Sequence, residues 1–173
     1  MRRAARAALS AMRLDADGVR GAALAAAGAG FLADPLWWLA GAAGLVVSAG
    51  LWRTLPGAMA GSALHAPGVW LSCVLWQPVL EELIFRGFLQ GELLRSRWGR
   101  RRLGGLSAAN LTCSLAFAAA HLVHHAPGWA LSVFVPSLLF GWLRERHAGV
   151  GAPIGLHVLY NLEFFAAAAL AAA

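Results

Sequence analysis

The sequence contains no lysine, and it is poor in charge of either sign. Charged residues fill 13% of its 173 positions, against 60% for hydrophobic residues. A soluble domain averages about 25% charged residues. A deficit spread along the whole chain points to lipid as the main solvent. An alanine-rich soluble bundle is the alternative, but the apolar runs are too long for its buried helices. Cysteine is scarce as well: Cys73 and Cys113 are the two, and both fall inside apolar segments. That placement argues against a disulfide framework or a cysteine-built zinc site and leaves small apolar packing residues. No HExxH helix, internal repeat or basic soluble module is present. The net charge of +6 therefore does not imply a nucleic-acid partner.

What the chain does have is arginine, alanine, glycine and tryptophan. All 14 basic residues are arginine, a composition that matches the codon bias of a GC-rich bacterium. The expected location is then a bacterial inner membrane. Residues 1–17 read as a basic, uncleaved tail, because the stretch after Arg6 is too short for a signal-peptide core. Residues 18–173 read as one transmembrane domain whose motif-bearing core covers about 68–171.

A hydrocarbon core of about 30 Å requires about 20 apolar residues in a helix. Residues 19–52 are interrupted by Asp34-Pro35, where proline breaks or kinks the helix. They form one kinked span or two short segments, 19–33 and 35–52. Trp37, Trp38 and Trp52 read as interfacial anchors. A connection at 53–67 precedes a long helix at 68–94. Further helices are expected at 106–125, 129–143 and 151–171. The expectation is an all-α, polytopic bundle of five or six spans. The arginine clusters at 95–102 and 144–146 are separated by two of these helices. They therefore share a side, which the positive-inside rule makes cytoplasmic.

Ionisable groups inside such helices are costly, about 2.5–3.5 kcal/mol each for Asp or Arg on insertion scales. Glu81, Glu82 and Arg86 nevertheless share one helix. Glu82 and Arg86 are four apart, share a face and can pair. Glu81 lies about 100° around the helix and lacks a local partner, which makes it the candidate general base. A purely structural ion-pair network would explain Glu82 and Arg86 but not the second carboxylate. His121 stands alone on the next helix, where a structural histidine is the competing reading. His124 and His125 suit the membrane surface. On the last helix His157 and Asn161 sit four apart on one face. They could hold the oxygen of a tetrahedral intermediate, or simply join helices.

These residues carry a resemblance. Glu81-Glu82-Leu83-Ile84-Phe85-Arg86 resembles the EExxxR motif of the CAAX protease and bacteriocin-processing (CPBP, or ABI) family. Phe117 to His121 resembles its FxxxH motif, and His157 to Asn161 its HxxxN motif. Gly141-Trp142-Leu143-Arg144-Glu145-Arg146 resembles the GxLRxR stretch before the last motif. The resemblance covers about residues 70–165. It implies a glutamic-type intramembrane endopeptidase in which Glu81 and His121 activate water, His157 and Asn161 stabilise the oxyanion, and Glu82 and Arg86 orient the site. It implies no metal, although zinc remains the chemical rival because Glu and His are good zinc ligands. The implied partner is a membrane-associated protein, with a C-terminal sorting tail if the chain is a myxosortase-like member. A non-catalytic membrane scaffold or bacteriocin-immunity protein on the same fold is the alternative.

Overall fold

The computed structural model describes residues 29–54 and 66–171. The tail at 1–17, the segment before residue 29 and most of the 53–67 connection lie outside the described residues. The described chain is helical apart from one small hairpin.

A 3-10 turn, Ala29–Ala33, ends at Asp34, and helix α1, Pro35–Thr54, begins at the proline. Pro35 has no N–H to lose at a first helical position. The Asp34 side chain accepts a hydrogen bond from the Leu36 N–H at 3.0 Å. The Asp34-Pro35 pair is thus a helix start. Trp37 is buried and donates its indole N–H to the Ala152 carbonyl at 3.0 Å. This corrects its reading as an interfacial anchor; Trp38 does remain exposed. The Trp52 side chain is not among those described.

Helix α2, Pro67–Arg95, is long and apolar enough to cross a membrane, as is the last helix over Gly151–Leu170. Its ladder widens twice into π turns, at Leu71–Trp76 and Leu83–Leu89. The first widening has a cause in the sequence. Pro78 carries no N–H and would crowd the carbonyl four residues before it. The Gln77 N–H reaches back five residues to Ser72. The Cys73 carbonyl is then left to face Pro78, which cannot donate to it.

Hairpin strands β1, Arg102–Leu103, and β2, Leu106–Ser107, follow. Their connecting residues, Gly104 and Gly105, both have positive φ, at 57° and 89°. A two-residue loop with this twist suits glycine at both positions. The expected helix start at residue 106 is therefore displaced. Ser107 caps helix α3, Ala108–His121, by accepting from the Asn110 N–H at 2.9 Å. The expected 129–143 helix is two, α4, Pro127–Ser132, and α5, Phe134–Arg146. Helix α6, Gly151–Ala171, closes the described chain.

Helix α6 is central: it packs against α1, α2 and α5. Phe140, Leu143, Ala152 and Leu156 are buried with Trp37 and Ala40 in one cluster. At one end of the bundle Glu145 accepts hydrogen bonds from Gln90 and Ser107 and pairs with Arg102 at 3.1 Å. The two arginine clusters therefore meet at the same end, as their spacing suggested.

Candidate active site

The adjacent carboxylates Glu81 and Glu82 enter different surroundings. The Glu82 side chain is fully buried, whereas that of Glu81 keeps 32% of its surface exposed. Glu82 Oε1 accepts from Arg86 Nη1 at 3.0 Å, the pair that the spacing implied. The same oxygen lies 2.9 Å from His157 Nδ1. Arg86, also fully buried, donates through Nη2 to the Ser137 hydroxyl at 2.7 Å and the Ser137 carbonyl at 3.1 Å. Its guanidinium lies over the rings of Phe117 and Phe140, at 4.6 and 5.3 Å. Helices α2, α5 and α6 are thus joined through one ion pair, with α3 supplying an aromatic wall. Burying two charges is costly unless both find partners, and removing one partner from such a pair costs about 3–5 kcal/mol.

His157 sits between the carboxylates. Its Nδ1 faces Glu82, and its Nε2 is 3.8 Å from Glu81 Oε2. Its ring stacks on Phe140 at 4.7 Å, with 20° between the planes. A carboxylate only accepts, so Nδ1 carries the proton. Nε2 is the nitrogen turned toward Glu81.

His121 reaches this group indirectly. Its Nδ1 is 2.9 Å from the Phe117 carbonyl. A carbonyl cannot donate, so Nδ1 bears the proton and the Nε2 lone pair is free to accept one. Phe117 stands between the two histidines, 4.5 Å from the ring of His121 and 6.1 Å from that of His157. Among the described residues, no hydrogen bond or ion pair joins His121 to Glu81. His125, assigned no role above, stacks on His121 at 5.7 Å with 23° between planes. Its spacing of four from His121 was the available signal. His124, three residues away, is exposed.

Asn161 is turned to another task. Its Nδ2 donates to the Cys73 carbonyl at 2.8 Å, the acceptor stranded by Pro78. One of its two amide protons is thereby used in joining α6 to α2. The second π turn shows a parallel. Its last bond runs from the Gln90 N–H to Phe85, and the next carbonyl, of Arg86, accepts from Arg144 Nε at 3.2 Å. Arg144 belongs to the GxLRxR stretch, and its role here is to satisfy motif-helix backbone. Gly141 of that stretch lies against the Asn110 amide, with no room for a β-carbon.

The structure therefore brings Glu81, Glu82, Arg86 and His157 into one cluster, reaches His121 through Phe117, and commits part of Asn161 to backbone. No group of three or more His, Cys, Asp or Glu among the described residues has the arrangement of a metal site. Cys113 is buried and donates its thiol to the Phe85 carbonyl at 3.0 Å, a packing role.

No curated protein and no solved structure matches the chain. A family model, type II CAAX prenyl endopeptidase Rce1-like, matches residues 63–162, more than half of the chain, and spans all three motifs. With two helices among the described residues long and apolar enough to cross a membrane, the chain is an integral membrane protein of the protease class, and it belongs to the Rce1-like type II CAAX prenyl endopeptidase family.

Proposed function

We propose that the chain is a glutamic-type intramembrane endopeptidase that cuts near the C-terminus of a membrane-associated protein. The observation that carries this reading is His157 held between two carboxylates, one buried and ion-paired, the other open. Glu81 and the Nε2 lone pair of His121 take up a water. Its oxygen attacks the scissile carbonyl while its proton passes to Glu81. The tetrahedral oxyanion accepts from His157 Nε2 and from the second amide proton of Asn161. Donation from Nε2 requires the doubly protonated ring, a cation that faces the Glu81 carboxylate before proton transfer and the oxyanion after it. The proton on Glu81 then moves to the leaving nitrogen as the C–N bond breaks. Water is the nucleophile, so no covalent intermediate forms and no metal is needed.

The substrate we favour is a bacterial membrane protein with a C-terminal sorting tail, processed at the inner membrane by a bundle of five or six spans. Profiling C-terminal peptides from membranes of cells expressing the wild type or Glu81→Gln tests this. New C-termini that depend on Glu81 support it. Identical profiles, with in vivo function retained by Glu81→Gln, His121→Ala and His157→Ala, would leave a non-catalytic scaffold or immunity protein instead.

A further inference from the structure

Eight arginines have described side chains, and six of them are engaged. Arg86 pairs with Glu82, Arg95 with Glu92, Arg102 with Glu145 and Arg146 with Asp34. Arg100 donates to the Leu94 and Arg95 carbonyls, and Arg144 to that of Arg86. The remaining two, Arg97 and Arg101, are exposed, and their guanidinium groups make no hydrogen bond or ion pair among the described residues. Two apolar side chains stand bare in the same segment: Trp98 is 49% exposed and Leu103 75%.

This segment is held from behind. The Ser96 side chain accepts from the Gly99 N–H at 2.9 Å. The Ala108 N–H reaches the Arg101 carbonyl at 2.8 Å, and the Ala109 N–H that of Gly99 at 3.0 Å. Gly99 is buried against the Leu93 carbonyl, where a β-carbon would not fit. The glycine loop then turns the hairpin back on itself. Unpaired guanidinium groups and an exposed indole are thus presented by fixed backbone at the end of a helix long enough to cross a membrane. The nearby acids, Glu92 and Glu145, are already paired.

We propose that the segment 96–107 is a binding site for anionic phospholipid. Arg97 and Arg101 meet the headgroup phosphate, and Trp98 and Leu103 enter the boundary between headgroups and acyl chains. Guanidinium groups suit phosphate oxygens geometrically. A zwitterionic headgroup carries its own compensating cation and offers less to two arginines, whereas an anionic leaflet attracts each of them. This inference stands apart from the protease reading, since none of these side chains belongs to the candidate site.

The test uses the full chain in nanodiscs of phosphatidylcholine, alone or mixed with phosphatidylglycerol. Retained lipids are counted by native mass spectrometry, and hydrogen exchange is followed over residues 96–107. Phosphatidylglycerol should be preferred on the order of tenfold and should slow exchange in the hairpin. Arg97→Gln/Arg101→Gln should abolish both effects, and Arg97→Lys/Arg101→Lys should restore most of the preference. Equal retention by the glutamine variant and the wild type would overturn the proposal. So would equal protection in phosphatidylcholine alone, which would mean apolar insertion only. Protection of the detergent-solubilised chain by inorganic phosphate, to the same degree, would make this a free-anion site and would equally overturn it.

Discussion

Glu81 and Glu82 are neighbours in the chain and opposites in the fold. Behind the site, Glu82, Arg86 and Ser137 are fully buried, and the two charges meet each other, His157, the Ser137 hydroxyl and two aromatic faces. In front of it, Glu81 and His121 are part-exposed and keep acceptor capacity that no group among the described residues uses up. The same residue type is thus a fixed strut at one position and an open base at the next. A helix turn of about 100° per residue is enough to make the difference. His157 bridges the two regions, since one ring nitrogen serves each.

Substitutions in front should remove chemistry and spare stability, whereas substitutions behind should do the reverse first. The largest effect is expected at Glu81→Gln. A positioned acid-base group contributes roughly 10²–10⁴-fold, so cleavage should fall by about that much while thermal unfolding in detergent stays unchanged. Behind the site, Arg86→Met should destabilise by about 3–5 kcal/mol, because Glu82 is left charged and buried. The double variant Glu82→Leu/Arg86→Met should recover part of that loss in denaturation measurements. A double variant as unstable as the sum of its parts would mean the two do not act as a pair.

Asn161→Ala sharpens the comparison because Asn161 is claimed for both jobs. Loss of the Cys73 bond alone should cost about 1 kcal/mol. An activity loss of only a few fold would mark Asn161 as a helix tie, and a loss on the order of a hundredfold would mark it as an oxyanion donor. Gly141→Ala should destabilise by about 1–3 kcal/mol by forcing the Asn110 amide aside, without changing the kcat of protein that still folds.

The smallest effect is expected far from the site. Asp34 pairs with Arg146 at 2.6 Å and lies 3.1 Å from His147. The Arg146 hydrogen bond holds the Asp34 carboxyl below its usual range, against the opposing pull of burial. A depressed carboxylate contributes stability above its unfolded value, and that contribution is lost as pH falls through the folded one. Asp34→Asn should therefore flatten the acid limb of a stability-pH profile and leave neutral-pH cleavage unaffected.

Much of this was readable from spacing. The pairing of Glu82 with Arg86 needed only i, i+4, and the shared end of the two arginine clusters needed only the number of helices between them. The link from Glu82 to His157 joins residues 75 apart in the chain, so only packing of α6 on α2 creates it. The tie from Asn161 to α2 was hidden for a related reason: its partner is a backbone carbonyl released by Pro78, and side-chain spacing says nothing of backbone acceptors. The hairpin's signal is Leu103-Gly104-Gly105-Leu106, a two-residue glycine turn between apolar residues, although the strands are too short for alternation to reveal. Trp37 shows the limit of composition, since a tryptophan near a helix start serves an interface or a core depending on which face the neighbours cover.

The most direct measurement compares Glu81→Gln with Glu82→Gln in one detergent, following thermal unfolding together with the C-termini that the wild type releases. Glu81→Gln should unfold like the wild type and lose cleavage by roughly 10²–10⁴-fold, while Glu82→Gln should unfold at lower temperature. Near-wild-type cleavage by Glu81→Gln, or wild-type stability in Glu82→Gln, would contradict this division.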